Sequence, residues 1–309
     1  MLLSIFLLPL HATEKSKLVY IVSDIEIPFW NIMSRGVIKQ ANELGYTVEV
    51  YSAQNNNKKE LEALAKSIQK GIEGIILSPV SSSSAATLIK LAKKQNIPVV
   101  VADIGSESSD YISYISSDNR KGAYDIGKIL ARQFKQRGYN KSSSIGIIAI
   151  PQNRENGKLR TDGFLEALSE EDIKTADLKQ QRDFSCQETY NFTKELLEKY
   201  PNIKALWLQG SNRYKGALKA FEELNREDVM LVTFDAEPEF SLLIEEGIIV
   251  GAAMQQPYLI GKEAVKVLDD YFHGKRIVKN IELPVLAISK ENVVKNHKVI
   301  QTNVLGIVE

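Results

Sequence analysis

The side chains able to do chemistry are short polar groups placed just after apolar runs. Asp103 follows Pro98–Ala102 and Asp235 follows Met230–Phe234. Ser23 and Asp24 follow Lys17–Val22, and Ser78 follows Ile75–Leu77. Gln152 comes after Ile145–Ile150, Asp183 and Phe184 come later, and Gln209 and Gly210 follow Ala205–Leu208. Ionised carboxylates accept hydrogen bonds through two oxygens and suit vicinal hydroxyls or amines. Phe29 and Trp30 stand beyond the first run, where aromatic faces can cover the C–H face of a sugar or the methyl groups of a cation. With only His11, His273 and His297, and with Cys186 as the one cysteine, neither a His-based triad nor a multi-histidine or multi-cysteine metal site is expected. No G-x-G-x-x-G follows the first run, and G-x-x-x-x-G-K-[ST] and G-x-S-x-G are absent. The expected chemistry is therefore binding, with no catalytic residue, no cofactor and no metal. Carboxylate-assisted glycoside processing is the competing reading, because binding clefts and hydrolases both use carboxylates.

The elements carrying these groups alternate. Lys17–Val22, Thr47–Tyr51, Ile75–Leu77 and Pro98–Ala102 read as strands. Phe29–Leu44, Lys58–Lys70 and Ala85–Lys94 have helical spacing between them, as with Leu61, Leu64, Ala65 and Ile68 on one face. Strands alternating with helices of this length predict βαβ units and a parallel sheet. The order recurs with strands at Ile145–Ile150, Ala205–Leu208 and Met230–Phe234, and helices at Lys158–Leu168, around Lys194–Leu197 and at Lys215–Glu223. The spacing recurs too: 14 residues from Val22 to Gly36 against 13 from Ile150 to Gly163, and 27 from Ile76 to Asp103 against 29 from Leu206 to Asp235. A repeat this long predicts two duplicated domains. Ligands of open parallel sheets bind beyond the carboxyl ends of the strands. Two such rims face to face would enclose a cleft lined by the polar residues above.

Composition agrees. The 309 residues, 44% apolar and 25% charged, suit about two globular domains. Lys plus Arg equals Asp plus Glu at 39 each, so nucleic acid is not the expected partner. Residues 1–10, MLLSIFLLPL, are too short an apolar run to span a bilayer. They fit the core of a secretory signal peptide cut after Ala12, although no basic residue precedes them. No cysteine follows for a lipid anchor. The mature protein is expected to be exported, soluble and periplasmic.

Several stretches together resemble the periplasmic solute-binding proteins of the ribose/galactose type. They are Ser23-Asp24-Ile25-Glu26-Ile27-Pro28-Phe29-Trp30, Ser116-Ser117-Asp118-Asn119, Arg160-Thr161-Asp162-Gly163-Phe164, Phe234-Asp235 and Gln255-Gln256-Pro257. The resemblance implies two Rossmann-like, doubly wound α/β lobes joined by a three-crossing hinge that closes on a ligand, usually a monosaccharide. The implied boundaries are 17–117 plus 256–280 for the first lobe and 118–255 plus 281–309 for the second, with the third crossing near 279–282. Phe29 and Trp30 then match the aromatic clamp, Asp103 and Asp235 the hydroxyl-binding carboxylates, Arg160 the ligand arginine and Gln255 the glutamine near the second crossing. Ser23, Ser117 and Phe184 match less closely. The pentose binders carry an arginine where this chain has Ile104 and asparagines where it has Ile27 and Gly210, so contacts made to ribose are missing. Asp24 and Glu26 add negative charge that would suit an amine-bearing ligand. The implied partners of this monomer are an ABC permease or, alternatively, a sensor kinase or chemoreceptor. Repressors sharing the fold carry a DNA-binding segment ahead of the first strand, for which the residues before Lys17 leave no room.

Overall fold

The computed structural model describes residues 16–307. The signal peptide expected at 1–12 lies outside the described residues. The first half runs β1 (Lys17–Val22), α1 (Pro28–Glu43), β2 (Thr47–Ser52), α2 (Asn57–Gln69), β3 (Gly74–Ser78), α3 (Ser82–Lys94), β4 (Val99–Ala102) and β5 (Ser113–Ser117). The second runs α4 (Asn119–Gln136), β6 (Ser144–Ala149), α5 (Glu155–Ser169), β7 (Lys174–Gln180), α6 (Cys186–Lys199), β8 (Ile203–Leu208), α7 (Tyr214–Glu223), β9 (Met230–Phe234), α8 (Phe240–Glu246) and β10 (Gly251–Met254). Then come α9 (Pro257–Phe272), β11 (Asn280–Leu283), β12 (Leu286–Ser289), α10 (Val293–Val299) and a π-helical turn, Ile300–Val304.

Two six-stranded sheets result, ordered β11-β5-β4-β3-β1-β2 and β12-β10-β9-β8-β6-β7. All neighbours are parallel except β10 and β12. Central strands such as β1, β3 and β4 are buried almost throughout, so they read as continuous apolar runs rather than alternating ones. Helix starts follow local chemistry. Pro28 opens α1, where its missing N–H costs nothing. The Ser81–Ser84 capping box starts α3 at Ser82, three residues before the apolar pattern begins at Ala85.

The duplication shows in matching details. Asp103 and Asp235 both adopt left-handed backbone, φ +65° and +69°. Each donates its N–H to the adjacent strand, to Ile115 O at 2.8 Å and to Ala253 O at 2.9 Å. Helix α1 packs on α9 and α5 on α4 with backbones nearly touching. A Cβ at Gly36 would lie 2.2 Å from Tyr258 O, and one at Gly163 would lie 2.0 Å from Arg120 O. Only glycine permits either approach.

The chain changes sheet between β5 and α4, between β10 and α9, and between β11 and β12. The stretch offered for the third crossing, 279–282, mostly forms β11 and pairs with β5, so the change of sheet falls at Pro284–Val285. Gln256 ties the crossings together. Its Nε2 donates to Pro284 O at 2.8 Å, and its Oε1 accepts from Asn303 Nδ2 at 2.9 Å. The chain end then reaches the first lobe: Arg35 on α1 donates to Leu305 O at 2.7 Å and to Gly306 O at 3.0 Å. Val293, Ile300, Val304 and Leu305 share one apolar cluster with Ile32 of α1, Tyr258 of α9 and the second lobe's core. The C-terminal segment thus straps the hinge.

Candidate ligand-binding site

Between the two rims lies a hollow of about 80 Å³, room for roughly two or three waters. It is lined by Phe29, Trp30, Asp103, Arg160, Phe184, Asp235 and Gln255, seven of the nine residues expected there. The lobes meet across it, with Arg154 Nη2 3.5 Å from Val80 O.

Asp103 occupies the turn after β4. Tyr114 fixes that turn by donating its hydroxyl to Asp103 O at 2.8 Å. The carboxyl group is buried, and its Oδ1 has no hydrogen-bond partner among the described residues. Burial pushes Asp103 up to about 7, against the pull of Arg160 and Arg154 and with the push of the Asp235 charge. Asp235 is held more firmly. Gln255 Nε2 donates to its Oδ1 at 2.5 Å, and Arg160 Nη1 lies 3.7 Å from its Oδ2. Burial still raises it, opposed by Arg160 and the Gln255 bond. Because the Gln255 amide nitrogen is committed to Asp235, its Oε1 is a second buried acceptor without a donor among the described residues.

Arg160 projects from α5 and is 3% exposed. Its Nε donates to Asn119 Oδ1 at 2.8 Å, its Nη1 donates to Gln209 O at 2.7 Å, and its guanidinium lies 3.9 Å from the centroid of the Phe234 ring. Asn119 is oriented in turn by donating Nδ2 to Ser117 O at 2.9 Å. Phe184 has φ +57°, unusual for a bulky residue. Three consecutive N–H groups, those of Arg182, Asp183 and Phe184, donate to the Glu188 carboxylate at 2.8–3.2 Å, and Arg213 Nε donates to Phe184 O. These bonds hold the strained turn that carries the ring to the hollow. Phe29 and Trp30 meet edge to face, with centroids 4.9 Å apart.

Ser23 and Ser117 are not among the lining residues. Both are buried, and each serves through its backbone carbonyl: Ser23 accepts from Asn55 N at 2.7 Å, and Ser117 supports Asn119. Asp24 accepts from Asn55 Nδ2 and the Glu26 N–H, and neither Asp24 nor Glu26 lines the hollow. The acidic mouth that favoured a cation is thus not part of the lining, which carries two arginines and two aspartates. Ile27, Ile104 and Gly210, the three departures from the pentose pattern, all line it. Sequence reasoning missed Arg154, Asn156, Gln181 and Asn212. Asn156 stands four residues before Arg160 on α5, so the helical spacing carried that signal. Gln181 follows β7, a half-exposed edge strand whose polar sequence hides it. Among the described residues, no cluster of three or more His, Cys, Asp or Glu side chains is placed to hold a metal ion.

A profile described as "Periplasmic binding protein domain" matches residues 18–276. The chain belongs to this family. The ribose import binding protein RbsB of Salmonella typhimurium is 28% identical over 267 residues, 86% of this chain and 88% of that protein. GanP, a glucose-galactose binding protein from Geobacillus stearothermophilus, superposes with a TM-score of 0.80 at 23% identity, covering 90% of this chain and 99% of that one. A carbohydrate transporter solute binding protein from Agrobacterium radiobacter, solved with D-arabinose, gives 0.85 at 20% identity, covering 95% and 100%. The family shares the two-lobed α/β architecture described above. No helix among the described residues is long and apolar enough to cross a membrane.

Proposed function

We propose that this protein is an exported, monomeric binding protein that captures a monosaccharide or close derivative by hinge closure and hands it to an ABC permease. One observation carries this reading: Asp103 and Gln255 line one small hollow, and each carries a buried acceptor, Oδ1 and Oε1, without a donor among the described residues. A buried acceptor without a donor is costly, and ligand hydroxyls supply the missing donors. The rings of Phe29, Trp30 and Phe184 cover the C–H faces that a sugar also presents. No hydrolytic step is assigned, because Asp235 is engaged by Gln255 and Arg160 rather than poised as a free acid or nucleophile. Transport rather than sensing is favoured by the import role in the name of RbsB. Phe29, Trp30, Asp103, Arg160, Phe184, Asp235 and Gln255 make the contacts, while Ser117 acts through Asn119.

The work is conformational. A ligand favours closure only by touching both lobes, and here Asp103 belongs to one and Asp235 and Arg160 to the other. A thermal-shift panel of pentoses, hexoses, polyols and amines tests the assignment, since a ligand of the native state raises Tm. A sugar that shifts Tm should also reduce the radius of gyration in solution scattering. Amines that stabilise the protein while no sugar does would overturn the sugar reading, and an unchanged scattering profile at saturation would overturn closure.

A further inference from the structure

The two walls of the hollow differ in chemistry. The second lobe presents six polar side chains, those of Arg154, Asn156, Arg160, Gln181, Asn212 and Asp235, beside two apolar ones, Ile150 and Phe184. The first lobe presents Ile27, Phe29, Trp30 and Ile104, and the one polar side chain it adds is Asp103. Ile104 is 3% exposed and shares an apolar cluster with Trp30, against which Ile27 and Phe29 also pack. This wall is therefore continuous with the first lobe's core rather than a scatter of single side chains. Opposite, Gly210 has no side chain, and a Cβ built there would find its nearest neighbour, Ile150 Cγ2, only at 4.0 Å. The hollow is thus left open beside Ile150, an apolar residue of the second lobe.

A hydroxyl pressed against Ile27 or Ile104 loses its water and gains no partner. The Asp103 carboxylate, with its two acceptor oxygens, is the one side chain of that wall able to pair with hydroxyls. The rest of the ligand edge facing the first lobe must be C–H. Resting on the sugar-capture reading above, we propose that the preferred ligand is a sugar with an edge lacking hydroxyls, a deoxy or methyl-substituted sugar, whose bare edge sits on Ile27 and Ile104 while its hydroxylated edge faces the second lobe.

Titration calorimetry with matched pairs tests this: hexoses against their 6-deoxy forms, pentoses and hexoses against their 2-deoxy forms, and free sugars against their methyl glycosides. The expected result is at least one deoxy or methyl sugar binding at least about tenfold more tightly than its fully hydroxylated parent, as expected where a buried hydroxyl is left unpaired. Ile104→Asn and, separately, the less buried Ile27→Asn should reduce or reverse that preference, and either variant suffices if the other does not fold. Parents that bind as tightly as or more tightly than every deoxy or methyl partner would overturn the inference and leave sugar capture standing. So would a preference that neither folded variant alters. If no sugar of either kind binds the folded wild-type protein, both readings fall.

Discussion

Asp103 should make ligand affinity depend on pH. Its carboxyl group is buried, unpartnered at Oδ1 and pushed up to about 7, so the empty cleft holds it largely protonated at pH 5. Ligand hydroxyls donate to the ionised form, so binding must draw the proton off. With a value near 7, the ionised fraction grows from roughly 1% at pH 5 to about 90% at pH 8, and affinity should rise roughly 100-fold, or about 2.7 kcal/mol. Calorimetry at pH 5, 6, 7 and 8 reads this directly, and repeating pH 6 in buffers of different ionisation enthalpy counts the proton released. Asn tolerates left-handed backbone, so Asp103→Asn should fold, bind weakly and lose most of this pH dependence. The ligand-free protein should show the opposite trend in stability. Its folded state holds the Asp103 proton more tightly than the unfolded chain does, so stability declines as pH rises from about 4 to about 7. A displacement from 3.8 to about 7 amounts to on the order of 4 kcal/mol. Glu237 is also pushed up to about 7 by burial, so the Asp103 share is the difference between wild type and Asp103→Asn in Tm against pH. An affinity profile that is flat in wild type, or equally steep in the variant, would show that Asp103 does not meet the ligand as a carboxylate.

Three further perturbations probe other parts of the structure. Trp30→Ala should weaken sugar binding by about 1–3 kcal/mol in calorimetry, the scale of a buried aromatic anchor, and unchanged affinity would remove the ring from the site. Gly163→Ala places a Cβ 2.0 Å from Arg120 O, so it should cost about 3 kcal/mol or more in denaturant unfolding or prevent folding; a loss below 1 kcal/mol would mean that α4 and α5 can separate freely. Arg35→Met removes two hydrogen bonds to the carbonyls of 305 and 306, at an exposed site where about 1 kcal/mol is expected. A Tm equal to that of wild type would show the C-terminal strap to be energetically idle.

The duplicated α/β plan was readable because its physics is local. Buried parallel strands need unbroken apolar runs, and the residues after β4 and β9 are both aspartates because both occupy the same left-handed turn at the rim. Gly36 and Gly163 were readable as equivalent positions, but their cause, a carbonyl of a distant helix about 2 Å from any Cβ, belongs to packing and not to spacing. Elements lying outside the repeat were harder to see. Helix α4 carries a plain stripe of Ala123, Ile126, Leu130 and Phe134, yet it interrupts the expected succession of strands. Strands β11 and β12 have four residues each and contain no full apolar run, so only pairing with β5 and β10 defines them.

The site divides along the same line. Residues at strand ends were legible because the topology dictates where those ends meet. Ser23 and Ser117 also occupy strand ends, but they lie below the surface of the hollow, and strand position alone does not separate a rim side chain from one beneath it. Arg154, Gln181 and Asn212 were hidden because turns or a half-exposed edge strand present them, and their placement depends on how a whole loop is braced, as Glu188 and Arg213 brace Phe184. Ile27, Ile104 and Gly210 are informative for the opposite reason. The resemblance to the pentose binders implies a polar residue at each, and all three line one hollow although they are distant in the chain. Strand-end topology brings such positions together, so their apolar or absent side chains set what that part of the cleft can accept.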